Sequence, residues 1–209
     1  HTFQESYQLY FLFGSGSNQH NQLLLRTEKN AAQLVHGEDA HDRKEMVVCV
    51  PKNDQDPVKQ LFVGGGHSGL LTRSGKLYLW GWNENGQLGS TNDAVDDASD
   101  RSLPVVRQLL DLVVDKAAFG FSHTLVVEQG TRRLLAFGSN ERGQANGEPS
   151  NTVATPDVSP IFLQEEEIVA VAAGLFHSAV INSQGELITF GCGRFGQSLS
   201  NNTDDKKEV

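Results

Sequence analysis

The feature that most constrains this chain is a short pattern that returns at nearly constant intervals. Glycine, two further residues, histidine and then serine or threonine occur at 64–68, 120–124 and 174–178, at steps of 56 and 54 residues. Regular self-similarity at such a period is typical of stacked or radially repeated units of supersecondary structure. The sequence therefore predicts a repeat protein, in which each unit packs mainly against its neighbours.

Two more marks keep the same register in every repeat. An aromatic-glycine pair ends the second apolar segment after each histidine, and a Gly-Gln pair begins five residues beyond that glycine. We interpret the glycines and histidines of these marks as structural residues. They are Gly64, His67, Gly81, Gly86, Gly120, His123, Gly138, Gly143, Gly174, His177, Gly191 and Gly196.

Short apolar segments follow each histidine and flank a turn glycine, at Gly75, Gly130 and Gly185. Residues 70–72 and 77–80 show the pattern clearly, since they enclose a short polar turn. This arrangement is typical of a tight β-hairpin, and no helical periodicity spans the repeats. Short antiparallel sheets repeated around an axis form a β-propeller, in which the strand edges stay short and protected. We therefore predict an all-β propeller.

The aromatic-glycine pair and the Gly-Gln loop closely resemble the repeat of the regulator of chromosome condensation family. That repeat continues as Trp/Phe-Gly-x-Asn-x-x-Gly-Gln-Leu-Gly, and residues 81–89 match this part without a gap. Gly193-Arg194 stands where the usual Asn is expected, which alters one loop without moving the register. The resemblance covers roughly residues 10–200. It implies a partial repeat at about 8–25 and units at about 46–89, 103–147 and 160–200, all within one propeller fragment spanning 1–209.

Propellers of this family close with seven blades, and seven units of this period need roughly 350 to 400 residues. A chain of 209 residues therefore supplies about half of a seven-bladed ring. Its first residue is His1 rather than methionine, which indicates an incomplete N-terminus. Half a ring is expected to leave apolar side chains exposed on its first and last units, because terminal repeats lose a neighbour.

The three motif histidines have a metal-binding and a structural interpretation. Each occupies the same slot of a different unit, whereas ligands of one zinc ion must all lie within about 2 Å of it. We therefore expect His67, His123 and His177 to be largely buried and to bond backbone groups between strands. Each adjacent hydroxyl residue points to the opposite face of its strand, which argues against a catalytic pair. No catalytic, metal or cofactor-binding residue is predicted.

Charge narrows the classes of partner. The net charge is −9 and the pI is about 5.2, which disfavours direct binding to nucleic acid because that binding relies on Lys and Arg. No apolar run approaches the roughly 20 residues that cross a bilayer, so no membrane span is predicted. Cys49 and Cys192 are too few for a disulfide scaffold and lack zinc-site spacing. They favour a cytoplasmic or nuclear protein.

A polar segment at 91–101 is the candidate partner-binding loop. Its carboxylates are Asp93, Asp96, Asp97 and Asp100. Such a run is usually a solvated loop, but it lies outside the fixed marks of the repeat, where sequence can vary without disturbing the core. A second acidic run, at 165–167, also lies outside the fixed marks and is a further candidate for partner binding.

The resemblance implies several functions that one fold can serve. The founding activity of the family is guanine-nucleotide exchange on a small nuclear GTPase, coupled to chromatin binding, and other members are scaffolds, ubiquitin-ligase modules or an ultraviolet-B photoreceptor. A photoreceptor needs a tryptophan cluster, whereas Trp80 and Trp82 are the only tryptophans here. We predict a non-enzymatic protein-binding propeller without a cofactor. The alternative is a guanine-nucleotide exchange factor for a small GTPase.

Overall fold

A computed structural model describes residues 9–12, 46–51, 56–89, 107–109, 112–150, 163 and 165–197, and the elements found there are all β-strands. The strands are β1 (Leu9–Leu12), β2 (Met46–Pro51), β3 (Val58–Val63), β4 (His67–Thr72), β5 (Leu77–Gly81), β6 (Arg107–Gln108), β7 (Val114–Phe119), β8 (His123–Glu128), β9 (Leu134–Gly138), β10 (Ile168–Ala173), β11 (His177–Asn182) and β12 (Leu187–Gly191). The prediction of an all-β fold is confirmed.

The strands form four antiparallel sheets. Sheet I contains β1 and β2, sheet II runs β3-β4-β5-β6, sheet III runs β7-β8-β9, and sheet IV runs β10-β11-β12. Sheets II, III and IV share one register, because the motif histidine that opens the second strand lies opposite the glycine that ends the third strand. The marks read from the sequence are therefore cross-strand neighbours, and these sheets are successive blades of a partial propeller.

Sequence units and sheets are offset by one strand. Strand β6 lies near the start of the unit at 103–147, yet it pairs with β5 and completes sheet II. In the same way β2, at the start of the unit at 46–89, pairs with β1 of sheet I. The apolar run that opens a unit therefore closes the preceding sheet, so neighbouring sheets are tied together by the chain itself.

The hairpins turn where the sequence predicts, with one difference in sheet III. Gly75 and Gly185 have φ values of 88° and 85° and stand two residues before the next strand. The hairpin between β8 and β9 is one residue longer, so Arg132, with φ of 56°, takes that position. Its carbonyl accepts a hydrogen bond from Ile168 of sheet IV at 2.9 Å, as the Gly75 carbonyl does from Val114 of sheet III at 2.8 Å.

Replacing Arg132 by glycine is expected to raise the free energy of unfolding by roughly 0.5 to 1 kcal/mol, because left-handed backbone strains a residue with a Cβ. The lost ion pair with Glu167 is exposed and 3.9 Å long, so it contributes little. Urea denaturation measures the change. The reverse substitution Gly185→Arg, at the equivalent position, should lower stability by about 1 kcal/mol. A loss of stability in Arg132→Gly would contradict this account.

Two apolar cores lie between consecutive sheets. The core between sheets II and III includes Leu71, Leu77 and Phe119, and the core between sheets III and IV includes Leu125, Leu134 and Ile168. Burying this apolar surface against the neighbouring sheet is the main favourable contribution to each junction. Sheets II, III and IV are therefore stacked, and sheet III has one face on sheet II and the other on sheet IV.

The outermost faces expose their apolar side chains. Val127 and Leu134 of sheet III are completely buried, whereas Ile181 and Leu187 at the same positions of sheet IV are 37% and 53% exposed. On the opposite side of the stack, Leu61 and Val63 of β3 are exposed while their counterparts Ala117 and Phe119 in β7 are buried. These are the positions that a neighbouring sheet covers inside the stack. The prediction of exposed apolar side chains is confirmed for the last unit. For the first, sheet I, the side chains lie outside what the structure describes.

Candidate functional site

The motif residues meet at the junctions between sheets. Between sheets II and III, the Thr124 hydroxyl donates to the Gln87 peptide carbonyl at 2.8 Å. The same hydroxyl oxygen lies 2.9 Å from His67 Nε2. Since a hydroxyl has only one proton, the His67 Nε2–H must be the donor in this second bond. His67 is therefore the neutral tautomer with its proton on Nε2.

The same relay recurs between sheets III and IV. Ser178 donates to the Gln144 carbonyl at 2.7 Å, and His123 Nε2 lies 2.9 Å from the Ser178 hydroxyl. Each relay takes a histidine and a Gln carbonyl from one sheet and a hydroxyl from the next. The prediction that the histidines bond backbone groups is therefore wrong: their partners are side-chain hydroxyls 57 and 55 residues away.

Neighbouring motif residues point to opposite faces, as the sequence predicts. In sheet III, Thr124 reaches back to sheet II while His123 reaches forward to sheet IV. The hydroxyl beside each histidine is therefore separated from it by the strand. This geometry prevents the adjacent His and Ser or Thr from acting as a nucleophile and its base.

Burial keeps two of the motif histidines neutral. Desolvation, with a smaller contribution from His123, lowers the pKa of His67 to about 3. Desolvation, with a smaller contribution from His177, lowers the pKa of His123 to about 4. Both Nδ1 atoms are buried without a hydrogen-bond partner, so neither ring has a site that would favour a second proton.

His177 differs from the other two histidines. It is only half-buried, although its strand position is the same. The prediction that all three are largely buried is confirmed for His67 and His123 and wrong for His177. The physical reason is that sheet IV has no further sheet on its outer face within the ranges that the structure describes.

The first glycine of the motif is required by close packing. A Cβ on Gly120 would lie 2.1 Å from His123 Cε1 and 2.8 Å from the Gly174 carbonyl oxygen. A Cβ on Gly64 would lie 2.5 Å from the Gly120 carbonyl oxygen. The glycines therefore accommodate both the imidazole and the turn of the next sheet. Close packing between sheets therefore explains why glycine stands at these positions.

The Gln of the Gly-Gln pair fixes its own loop. Its side-chain Oε1 accepts a bond from a backbone N–H two residues earlier, at 2.9 Å for Gln87, 2.7 Å for Gln144 and 2.7 Å for Gln197. An Asn side chain braces the same loop in sheets II and III, where Asn83 and Asn140 accept from a backbone N–H five residues on. The loop thus presents the Gln carbonyl to the hydroxyl of the next sheet.

The two acidic runs lie at different places. Asp93, Asp96, Asp97 and Asp100 fall outside the described residues. Their segment is joined to the structure at Arg107, opposite Leu79 in the middle of β5, and at Gly89, in the loop that follows β5. That loop lies at the end of the sheets where β5 finishes. We call this the motif end, and it carries the turns at 64–66, 120–122 and 174–176 and the loops at 82–89, 139–147 and 192–197. The run at 165–167 lies at the opposite end, where Ser183 of a hairpin bonds Glu167.

Three aromatic side chains form a row at the motif end, which sequence reasoning did not connect. The ring centroids of Trp82 and Phe121 are 6.1 Å apart, and those of Phe121 and Phe176 are 6.0 Å apart, both with edge-to-face geometry. The three residues come from sheets II, III and IV. A signal was present in the sequence, since the equivalent positions of other repeats hold Gly, Ser or Cys, except for Leu175 at the Phe121 position of sheet IV.

Neither a metal site nor a membrane-spanning helix is found among the described residues. No group of three or more His, Cys, Asp or Glu side chains is placed to hold a metal ion in the ranges that the structure covers. Nor does that part of the chain contain a helix long and apolar enough to cross a membrane. His67 and His123 are each committed to a separate junction. The motif residues therefore build the frame, and binding residues have to be sought on its surface.

The amino-acid sequence is similar to a known repeat family and to proteins that contain it. The regulator of chromosome condensation (RCC1) repeat matches residues 74–127, and a second description of that repeat matches 58–87 and 168–197. Human Protein RCC2 is 36% identical over 140 residues, which cover 67% of this chain and 26% of that protein. Human Probable E3 ubiquitin-protein ligase HERC3 is 32% identical over 72% of this chain and 14% of its own length. The chain thus spans about a quarter or less of these relatives.

Solved structures share the fold. Human WBSCR16 superposes with a TM-score of 0.67 at 20% identity, covering 88% of this chain and 44% of that structure. Yeast RCC1 (Prp20), solved in complex with Kap60, gives a TM-score of 0.58 at 22% identity, covering 92% of this chain and 45% of its own. At such identities the likeness concerns the fold alone.

Proposed function

Because the chain is built from repeats of the regulator of chromosome condensation family, we propose that it is a protein-binding module that makes and breaks no covalent bond. The observation that carries the proposal is the use of the motif in the relays. The imidazoles of His67 and His123 are completely buried, and their hydroxyl partners bond the next sheet. The histidines and hydroxyls, which are the motif side chains capable of acid-base or nucleophilic chemistry, therefore hold neighbouring sheets together. Partner recognition then falls to variable positions on the surface.

We assign partner contacts to the acidic segment that contains Asp93, Asp96, Asp97 and Asp100. One flank of this segment, Gly89, lies at the motif end, and the other, Arg107, begins the strand that pairs with the middle of β5, so the segment is joined to the frame at two points. The net charge of −9 favours encounter with positively charged partners. The free, buried thiol of Cys192 is in keeping with a reducing compartment, the cytoplasm or the nucleus.

A charge-neutralising variant tests this assignment. Asp93, Asp96, Asp97 and Asp100 are replaced together by Asn, and the proteins retained by the variant and the parent are compared by quantitative mass spectrometry. The matched control replaces Glu165 and Glu167 by Gln at the opposite end. We expect the first variant to retain about tenfold less of each partner protein and the control to retain as much as the parent. The melting temperatures of the three proteins should be similar. Equal retention by all three proteins would contradict the proposal.

Nucleotide exchange on a small GTPase is the second candidate. It is supported by yeast Prp20p, whose structure was described together with its binding to Gsp1p and histones. Exchange needs a binding surface rather than bond-making residues, so the same acidic segment would serve it. The test is the release of a labelled nucleotide from a panel of small GTPases in the presence of the full-length protein. Acceleration by catalytic amounts would establish exchange, and unchanged release across the panel would leave binding alone.

A further inference from the structure

The aromatic row at the motif end is not required by the fold. Phe121 occupies the slot that holds Gly65 in sheet II, and Phe176 occupies the slot that holds Ser122 in sheet III. Trp82 occupies the slot of Ser139. The same frame therefore forms with small residues at each of these positions. Bulky apolar groups that the frame does not need, and that stay partly exposed at one end, indicate a surface that contacts something else.

The row is rigid and partly exposed. Phe121 lies directly over the backbone of Gly65, where an added Cβ would be 2.4 Å from Phe121 Cδ2. It also contacts an aromatic ring on each side, and 39% of it is exposed. Leu175 of the adjoining turn is 55% exposed. Preformed aromatic groups of this kind lose little conformational entropy on binding, which is why they serve as anchors in interfaces.

The two ends of the row carry side chains of opposite charge. Glu84 is exposed on the loop that carries Trp82, while Arg194 is exposed on the loop of sheet IV, beyond Phe176. Between them, Glu141 and Arg142 are adjacent and offset one another. The Trp82 end of the row is therefore acidic and the Phe176 end basic. A cation placed at the acidic end can also interact with the indole ring of Trp82.

We propose that the row binds a segment of a partner protein in which one basic residue is followed by apolar residues. An apolar side chain lies on Phe121 and Leu175, and a Lys or Arg lies at the Trp82 end, beside Glu84. This rests on the proposed function, since it names the chemistry of the partner, but it uses residues separate from the acidic segment at 91–101. The net charge of −9 acts in the same direction.

Fluorescence anisotropy with two labelled peptides tests the proposal: a peptide in which one Arg is followed by Leu residues (the Arg-Leu peptide), and the same peptide with Glu in place of Arg (the Glu-Leu peptide). The full chain should bind the Arg-Leu peptide at least about tenfold more tightly than the Glu-Leu peptide. Phe121→Gly should weaken this binding by about tenfold, which is the size of a hot-spot loss. Glu84→Gln should weaken it about threefold and reduce its salt dependence.

The variants use residues that the fold already accepts, since Gly is the natural residue at the Phe121 slot of sheet II. The control is Phe195→Asn, because Phe195 is an exposed aromatic residue outside the row and Asn85 fills its slot in sheet II. This control should bind like the parent. Equal affinity for both peptides, or unchanged affinity of a folded Phe121→Gly variant, overturns the proposal. Such a result would leave the proposed function standing if partner retention still depended on the Asp93–Asp100 carboxylates.

Discussion

Lowering the pH from 7 to 4.5 is expected to reduce the free energy of unfolding by roughly 5 kcal/mol through two residues, His67 and His123. In the unfolded chain both take up a proton near pH 6.5, whereas in the fold their pKa values are about 3 and about 4. The unfolded state therefore binds more protons throughout this interval. Their stabilising contribution is complete above pH 6.5 and is lost progressively as the pH falls towards 4.

Urea denaturation at several pH values measures this slope, and a variant without the two imidazoles isolates it. His67→Gln combined with His123→Gln should be less stable than the parent at pH 7, yet its stability should depend less on pH. The interval stays above pH 4.5 because the pKa values of Asp56 and Asp115 are lowered. For Asp56, burial alone would raise the pKa, but hydrogen bonds, chiefly from Ser74, and the charge of Lys76 outweigh it. For Asp115, hydrogen bonds to Lys116 and Lys59 and their charges lower the pKa, so both carboxylates titrate further down. If the free energy of unfolding depended on pH in the same way in the parent and the variant, the conclusion that both imidazoles are buried in the neutral form would be wrong.

Replacing Thr124 by Val is expected to cost about 2 to 4 kcal/mol, since it leaves the Nε2–H of His67 and the carbonyl of Gln87 buried without a partner. The substitution keeps the shape of the side chain, so little of the loss arises from packing. Chemical denaturation measures it as a lower midpoint at an unchanged slope.

The matched control is Thr124→Ser, which retains the hydroxyl and places there the residue that Ser178 supplies in the next relay. It should cost less than about 1 kcal/mol, the usual price of one buried methyl group. If the Val variant proved as stable as the Ser variant, the hydroxyl would have no part in holding sheets II and III together.

Much of the fold was predictable because the repeat marks act locally. A turn glycine such as Gly75 and the apolar segments around it specify a hairpin within about 15 residues. The register of His67 opposite Gly81 then follows from the hairpin, and the same arrangement recurs in each unit. Repetition itself excluded a shared metal site, since equivalent residues of separate sheets do not converge.

The relays were not predictable from local pattern. Thr124 bonds a histidine 57 residues away and a carbonyl 37 residues away, so its partners are fixed by how two sheets stack. The same holds for the aromatic row, whose members stand at variable positions of three repeats. Arg132 shows a different limit: its hairpin has one extra residue, so both Gly130 and Arg132 have positive φ, 92° and 56°, and the pattern of glycines predicts only the first.

The offset between unit and sheet bears on how such a gene can change length. Each relay draws on two successive repeats, and the last strand of sheet II comes from the repeat that follows. Unequal recombination that adds or removes one whole period therefore leaves every junction with a histidine, a hydroxyl and a carbonyl, wherever in the period the crossover falls. One contact between sheets does not tolerate every order of repeats, because it depends on the size of two residues. Phe119 packs on Gly69, where an added Cβ would lie 2.7 Å from Phe119 Cζ. A rearrangement that placed this repeat behind sheet III would bring Phe119 onto Leu125, so the order of these two repeats is constrained although their number is not.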